Sequence, residues 1–450
     1  MTAAGGRFAA GHVGELTRIV PFEMVDAALA ETGATQRRIR DLPSRVVVYL
    51  LLAAGLFADL GYPQVWIHMI TGLGPAQSPD AGEAFRAPSA SALCQARRRI
   101  GSAPLRALFD LLRGPAAAPR TAGVWWRGRL VCAVDGTQMC VPDSAANLAV
   151  YRCGGGNHGG TGYPMLRLVA LISCGTRTVL DAVFGSDRRT ETAMATDLAS
   201  AMRPGMIVLA DRHYGYAPTI TALAASGADL LIRVRNNHRY PITGRLRDGS
   251  FTSRIGTLPV RIVRVEITTH TRAGDHRETY QLVSTICDPA CSAVELARLY
   301  HQRWEIETSY FELKSTLLGG RVLRARTPQG IDQEVYALLV TYQALRIAIA
   351  DALTGRPDLD PDRASFTIAL TTARAQLTAT AATLGSPVDL RGTIGRRVLA
   401  GLLPNRRARS SPRVVKRAIS NYTVKTSQGR VRGPSRHYTI EINTIAPDGP

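Results

Sequence analysis

Two aspartates stand where a folded sheet could put carboxylates to work on phosphate. Asp135 follows the apolar run Leu-Val-Cys-Ala-Val and precedes Gly136 and Thr137, so the pattern predicts an acid at the C-terminal end of a buried strand, where the chain turns. Asp211 repeats the arrangement after Met-Ile-Val-Leu-Ala and is followed by Arg212, His213, Tyr214 and Gly215. Strand ends of this kind are where α/β sheets hold reactive groups. Paired carboxylate oxygens suit Mg²⁺, which keeps its other positions for water and phosphate. A strand-terminal aspartate alone is more often a helix cap or turn former than a ligand, so a metal site calls for a third acid.

Residues 300–314, YHQRWEIETSYFELK, offer one. Taken as a single helix at about 100° per residue, Tyr300, Arg303, Glu307 and Lys314 share an arc of about 60°, while Glu305 and Glu312 point away. That face carries an acid for metal, two cations for phosphate oxygens and a hydroxyl that can hydrogen-bond or stack. A helix break near Gln302 would reduce the shared face to Glu307 and Lys314. An amphipathic helix with an Arg303–Glu307 ion pair explains the same residues without chemistry, and the residues alone leave both readings open.

Elements must exist to position these groups. Up to about residue 120 the apolar spacing is helical, at 22–31, 42–59 and 64–70. Near its end, Ser89 or Ser91 opens a helix, Gly101 marks a turn, and a second helix begins near Pro104. With Arg97, Arg98 and Arg99 beside the turn, this fits a helix-turn-helix DNA reader, or any helical hairpin with a basic face. A Pro/Ala-rich linker at 114–123 follows. Then come short β-rich runs at 130–134, 166–173, 178–184, 206–210 and 229–234, with helices near 191–202 and 218–225. Three strands, then helix, strand, helix and strand predict an α/β fold of the ribonuclease-H-like type. Residues 236–287 alternate β-branched and charged residues with turn signals, which reads as an antiparallel β subdomain inserted into the catalytic domain at 124–350. Helices resume at Ser292, which makes a capping box with Glu295. The expected layout is thus an all-helical N-terminal domain at 1–113, the linker, the α/β domain and a helical, basic, partly disordered region at 351–450.

The 450 residues carry 55 Lys and Arg against 35 Asp and Glu, a net charge of +20. With 45% hydrophobic residues the chain can bury real cores, which excludes global disorder, a collagen and a disulfide-stapled miniature fold. No apolar run is long enough to predict a membrane span, and no secretory signal is visible, which points to the cytoplasm. Seven scattered cysteines suit reduced thiols. From residue 391 to 438 there are thirteen Lys and Arg and no Asp or Glu, among them Arg406, Arg407, Lys416 and Arg417. A same-sign block of this size suits a polyanion, because phosphate contacts release counterions; it equally suits a solvated tail. The glycine-rich stretch at 153–162 lacks the Gly-Lys-Ser/Thr of a phosphate loop and reads as a mobile loop, with His158 facing solvent.

The spacing Tyr300, Arg303, Glu307, Lys314 resembles the signature of the DDE transposases of the insertion-sequence-four family. Asp-Gly-Thr at 135–137, the strand-end Asp211, the β-rich insert and the segment VLRARTPQGIDQEVYALLVTYQALR resemble that family's layout over roughly residues 15–350. The resemblance implies a catalytic triad of Asp135, Asp211 and Glu307 binding two Mg²⁺, with Mn²⁺ substituting. It also implies that Tyr300, Arg303 and Lys314 contact transposon-end phosphates. Lys314 is one of only three lysines in the chain, which favours a site that wants a point charge. The implied activity is cut-and-paste transposition: hydrolysis at the terminal inverted repeats of double-stranded DNA, then attack of the 3′-hydroxyls on target DNA. A homodimer on DNA, in the bacterial cytoplasm at the nucleoid, is expected. Arg97 and Arg98 would join the basic tail in binding DNA. Not every position of the segment after Asp211 matches the family's pattern, and His213 and Tyr214 are given structural roles. A nuclease of the same fold that cuts without joining, and a transposase-derived regulator without catalysis, are the alternatives.

Overall fold

A computed structural model describes residues 12–38, 40–71, 87–153, 162–271, 274–356, 358–378, 392–404, 409–410, 436–437 and 439–446. Among the described residues, the regular elements before residue 113 are helices: α1 Phe22–Glu31, α2 Ser44–Leu56, α3 Tyr62–Thr71, α4 Ala90–Ile100 and α5 Ala103–Leu112. Every residue of α2 except Arg45 is buried, which is why its sequence is apolar on all sides. Ser89 caps α4, its hydroxyl accepting from the Ala92 amide, and Gly101 turns the chain at φ +66°, a conformation that glycine adopts without strain.

The following strands and helices are β1 Trp125–Trp126, β2 Arg129–Cys140, α6 Ala145–Leu148, β3 Arg152–Cys153, β4 Pro164–Ser173, β5 Val179–Ser186, α7 Glu191–Asp197, β6 Met206–Ala210, α8 Ala217–Ala224 and β7 Asp229–Val234. They build one mixed sheet, in which β5, β4, β2, β6 and β7 lie side by side. The pairs β5–β4 and β4–β2 are antiparallel, and β2–β6 and β6–β7 are parallel. The order of elements matches the one predicted. One difference concerns β2, predicted to end at Val134: it runs on to Cys140, because β4 continues to pair with it as far as Cys140 and Met165.

Residues 236–287 form β8 Gly244–Arg245, β9 Phe251–Ile255, β10 Leu258–Thr271 and β11 Gly274–Ser284, all antiparallel as expected. The insert continues the sheet itself, because β11 pairs with β7 from Gln281 opposite Val234 to Ser284 opposite Leu231. Beyond it lie α9 Ala293–Tyr300, α10 Trp304–Phe311, α11 Pro328–Leu353, α12 Phe366–Thr378 and α13 Gly392–Ala400. The short strands β12 Arg409–Ser410 and β13 Arg436–His437 pair with each other. The C-terminal region also supplies an unforeseen strand, β14 Thr439–Thr444, antiparallel to β10.

The sheet is covered on both faces. Val134, Val208 and Ala210 point into a core with Met194 and Leu198 beside α7 and with Ile220 and Leu223 of α8. Val131, Ala133, Ile207 and Leu209 point into the larger core on the opposite face, shared with α11 and the N-terminal helices. Helix α11 is apolar enough over its 26 residues to cross a bilayer, yet 78% of its most apolar window is buried by the rest of the chain. It is the axis of the core.

Candidate active site

Strand alternation delivers the two aspartates to one face. Val134 pairs with Ala210 as the last parallel rung between β2 and β6, so Asp135 and Asp211 are the next residues on neighbouring strands. Both share the phase of the residues facing the larger core, Val131 and Ala133 on β2, Ile207 and Leu209 on β6. Asp211 also caps the short turn Arg212–Tyr214, accepting from the His213 amide at 2.7 Å. The capping role considered for such a residue is therefore filled.

The predicted uninterrupted helix over 300–314 is broken. Helix α9 ends at Tyr300, a 3₁₀ turn spans His301–Arg303, α10 carries Glu307, and a π-helical turn Glu312–Leu317 carries Lys314. The residues still converge. Arg303 donates through one Nη to Glu307 Oε1 at 2.9 Å and through the other to Asp135 Oδ2 at 3.4 Å. Lys314 donates from Nζ to Thr137 Oγ1 at 2.9 Å, so the Asp-Gly-Thr segment and the second half of the motif meet directly. Tyr300 is buried and meets Tyr280 edge-on at 6.2 Å, beside Arg303.

The surroundings set the electrostatics. Burial first, then the charge of Asp211, push the Asp135 carboxyl up to about 7, against the opposing pull of the Gly136 amide and Arg303; Glu191 adds to the rise. Burial pulls the Lys314 ammonium below its ordinary value. Arg303 is lowered by its own burial, but Tyr300, Glu307 and Asp135 reverse that and raise it. Glu305 and Glu312 point away from the site, as the helical phase predicts, into a buried network. There Arg177 donates to Glu305 at 2.7 Å and to Glu312 at 3.1 Å and pairs with Asp362, while Arg346 pairs with Glu312. That network fixes the rear of α10 and of the turn bearing Lys314.

The donor set is one a hard divalent cation accepts, carboxylates only. Among the described residues no three His, Cys, Asp or Glu side chains chelate as they stand. The Arg303 guanidinium, paired with both Asp135 and Glu307, supplies the positive charge between them.

Other predicted residues are placed differently. Arg97 stacks on Tyr62, 3.6 Å from the ring centroid, and its carbonyl accepts from Gln333 of α11, whereas Arg98 is exposed on α4. Arg406, Arg407, Lys416, Arg417 and nearly all of the glycine-rich stretch with His158 lie outside the described residues. The sequence reading missed Tyr310, whose hydroxyl donates to the Asp135 carbonyl at 2.6 Å and accepts from the Ala170 amide at 3.0 Å. It thereby pins β2 to β4 at the rung where Asp135 faces Ala170. Its spacing of three from Glu307 on a helix was the available signal. Glu191, at the start of α7, had none.

Residues 10–110 match the model of the insertion element 4 transposase N-terminal region, and residues 126–343 match that of the transposase DDE domain. Together the two matches span well over half of the chain. This chain belongs to the insertion-sequence-four family of DDE transposases. A relative, transposase InsG for insertion sequence element IS4 of Escherichia coli (strain K12), is 27% identical over 421 residues, covering 88% of this transposase and 90% of the relative. A solved structure, the piggyBac transposase synaptic complex with hairpin DNA, aligns over 89% of this transposase and 87% of that chain with a TM-score of 0.43 and 11% identity.

Proposed function

We propose that this transposase excises an insertion sequence at its terminal inverted repeats and joins the freed 3′-hydroxyl ends to target DNA, with Asp135, Asp211 and Glu307 as its catalytic acids. The observation that carries the reading is their placement: Asp135 and Asp211 side by side past the last parallel rung, and Glu307 tied to Asp135 through Arg303. The strand order β5-β4-β2-β6-β7, with its antiparallel and parallel halves, supports a ribonuclease-H-like core.

The three carboxylates would hold Mg²⁺, as two ions, with Mn²⁺ substituting. Bound there, such ions would supply Lewis-acid activation of the attacking water or 3′-hydroxyl and neutralise charge developing in an in-line displacement, so one site would serve hydrolysis and strand transfer. The chain's own residues bind and orient. Arg303 compensates Asp135 and Glu307 before DNA arrives, and its planar fork suits a backbone phosphate afterwards. Lys314, on the turn beside Thr137, offers a point charge to a second phosphate oxygen. Tyr300, packed edge-on against Tyr280 beside Arg303, would add its hydroxyl to the phosphate contacts. Tyr310 holds the Asp135 backbone against β4 and so keeps the carboxylate aimed while charge develops.

Base recognition falls to the helical hairpin α4–α5, with Arg98 exposed and Arg97 oriented by Tyr62, and sequence-independent affinity to the basic residues of 391–438. Two transposon ends call for a homodimer on DNA, working at the nucleoid in the bacterial cytoplasm.

The test is cleavage of a linear duplex carrying the gene's native flanks, with Mg²⁺ or Mn²⁺, by the wild type and by Glu307→Ala. Defined cuts at the element's ends by the wild type alone, with both proteins binding the DNA, are expected. Cleavage by Glu307→Ala at the wild-type rate sinks the assignment of Glu307. A strand-transfer assay on supercoiled plasmid separates a transposase from a nuclease, and binding without cutting by either protein favours a regulator.

A further inference from the structure

Glu191 opens α7 on the sheet face opposite Arg303 and Glu307, and it touches the segments that follow both aspartates. Gly136, next to Asp135, has the phase of Val134 and faces the α7 side. A Cβ placed on Gly136 would stand 2.4 Å from Glu191 Cδ and 2.6 Å from its Oε2, so a side chain here would require Glu191 to move. The other carboxylate oxygen, Oε1, accepts a hydrogen bond from the Tyr214 hydroxyl at 2.8 Å. Tyr214 is fully buried and closes the short turn that Asp211 caps. One side chain therefore packs on the backbone after Asp135 and anchors the turn after Asp211. The hydroxyl of Thr190 caps α7 by accepting from the Ala193 amide, which fixes where Glu191 leaves the helix.

We propose that Glu191 is a positioning residue for this active site, a clamp behind the sheet that sets the separation of Asp135 and Asp211 and hence the fit of the divalent-cation site. The clamp acts through shape and a hydrogen bond, and its consequence for metal rests on the reading under Proposed function. It also gives Tyr214 a role.

Two readouts test it. Hydrogen–deuterium exchange on metal-free, DNA-free protein follows residues 134–137 and 211–214, and loss of the free Mn²⁺ signal in electron paramagnetic resonance measures Mn²⁺ uptake. Glu191→Ala and Tyr214→Phe are expected to raise exchange in both segments and to weaken Mn²⁺ uptake about tenfold. Glu191→Gln, which keeps an Oε1 acceptor and the shape against Gly136, is expected to restore both to within about threefold of the wild type. Unchanged exchange in Glu191→Ala overturns the clamp, as does a Glu191→Gln variant as impaired as Glu191→Ala, which would make the charge itself the agent. If the wild type takes up no Mn²⁺, the metal reading fails, and the exchange data still decide the clamp. Urea denaturation of each variant identifies any loss that reflects global unfolding.

Discussion

Asp135 carries an electrostatic cost in the folded chain. Its carboxyl, raised to about 7 from an ordinary 3.8, makes the folded state bind more protons than the unfolded state between those pH values. Stability of the metal-free protein therefore falls as pH rises across that window and is level above it. Asp135→Asn removes the buried charge, so it should stabilise the metal-free protein at pH 8 by on the order of 1–2 kcal/mol and bring no gain at pH 4. Thermal unfolding at the two pH values checks this, and an equal effect at both would contradict the assigned cause. Tyr310→Phe loses two hydrogen bonds to the backbone of β2 and β4 and should cost about 1–2 kcal/mol, read by urea denaturation.

At the scale of elements, helix α10 is held from behind by ions rather than by apolar packing alone. Arg177 faces Glu305, Glu312 and Asp362 with its side chain almost fully buried, and Arg346 meets Glu312 from α11. Removing one partner leaves uncompensated buried charge, so Arg177→Ala should destabilise the protein by about 3–5 kcal/mol, measured by urea denaturation. A cost under about 1 kcal/mol would mean that the network is solvated. The π-helical turn Glu312–Leu317 belongs to the same device: Glu312 is anchored inward by Arg177 and Arg346 while Lys314, two residues on, reaches Thr137. Register breaks of this kind are common at functional sites.

Across the whole molecule, the N-terminal helices and the sheet are joined through α11. Val47, Leu50 and Leu105 share one apolar cluster with Leu338 and Leu345 of α11 and with Val131 of the sheet. Arg324 adds polar ties by donating to the carbonyls of Ala54 and Leu60, and Gln333 donates to those of Arg97 and Gly101. A fragment of residues 12–113 would expose the faces that α11 covers, so its circular dichroism should lack a cooperative thermal transition, while the full chain shows one. The excess charge acts at the same scale. Deleting residues 405–435 should lower the slope of log affinity for duplex DNA against log salt by about one for each phosphate that is no longer neutralised, and weaken binding across unrelated sequences alike. An unchanged slope would mean that other basic residues neutralise the phosphates.

The element order of the central sheet, the shared burial phase of Asp135 and Asp211, the hairpin turn at Gly101 and the meeting of Arg303 with Glu307 were all legible in the sequence. They follow from local rules: period-two burial, capping residues, and neighbours four apart on a helix. The π-helical turn under Lys314, the extension of β2 past Asp135 and the return of β14 to the sheet depended on partners far along the chain. So did the burial of Arg177 among three acids, the stacking of Arg97 on Tyr62 and the approach of Glu191 to Gly136. In each of these cases the deciding interaction joins residues whose separation no local period encodes, and only the packed molecule brings them within reach.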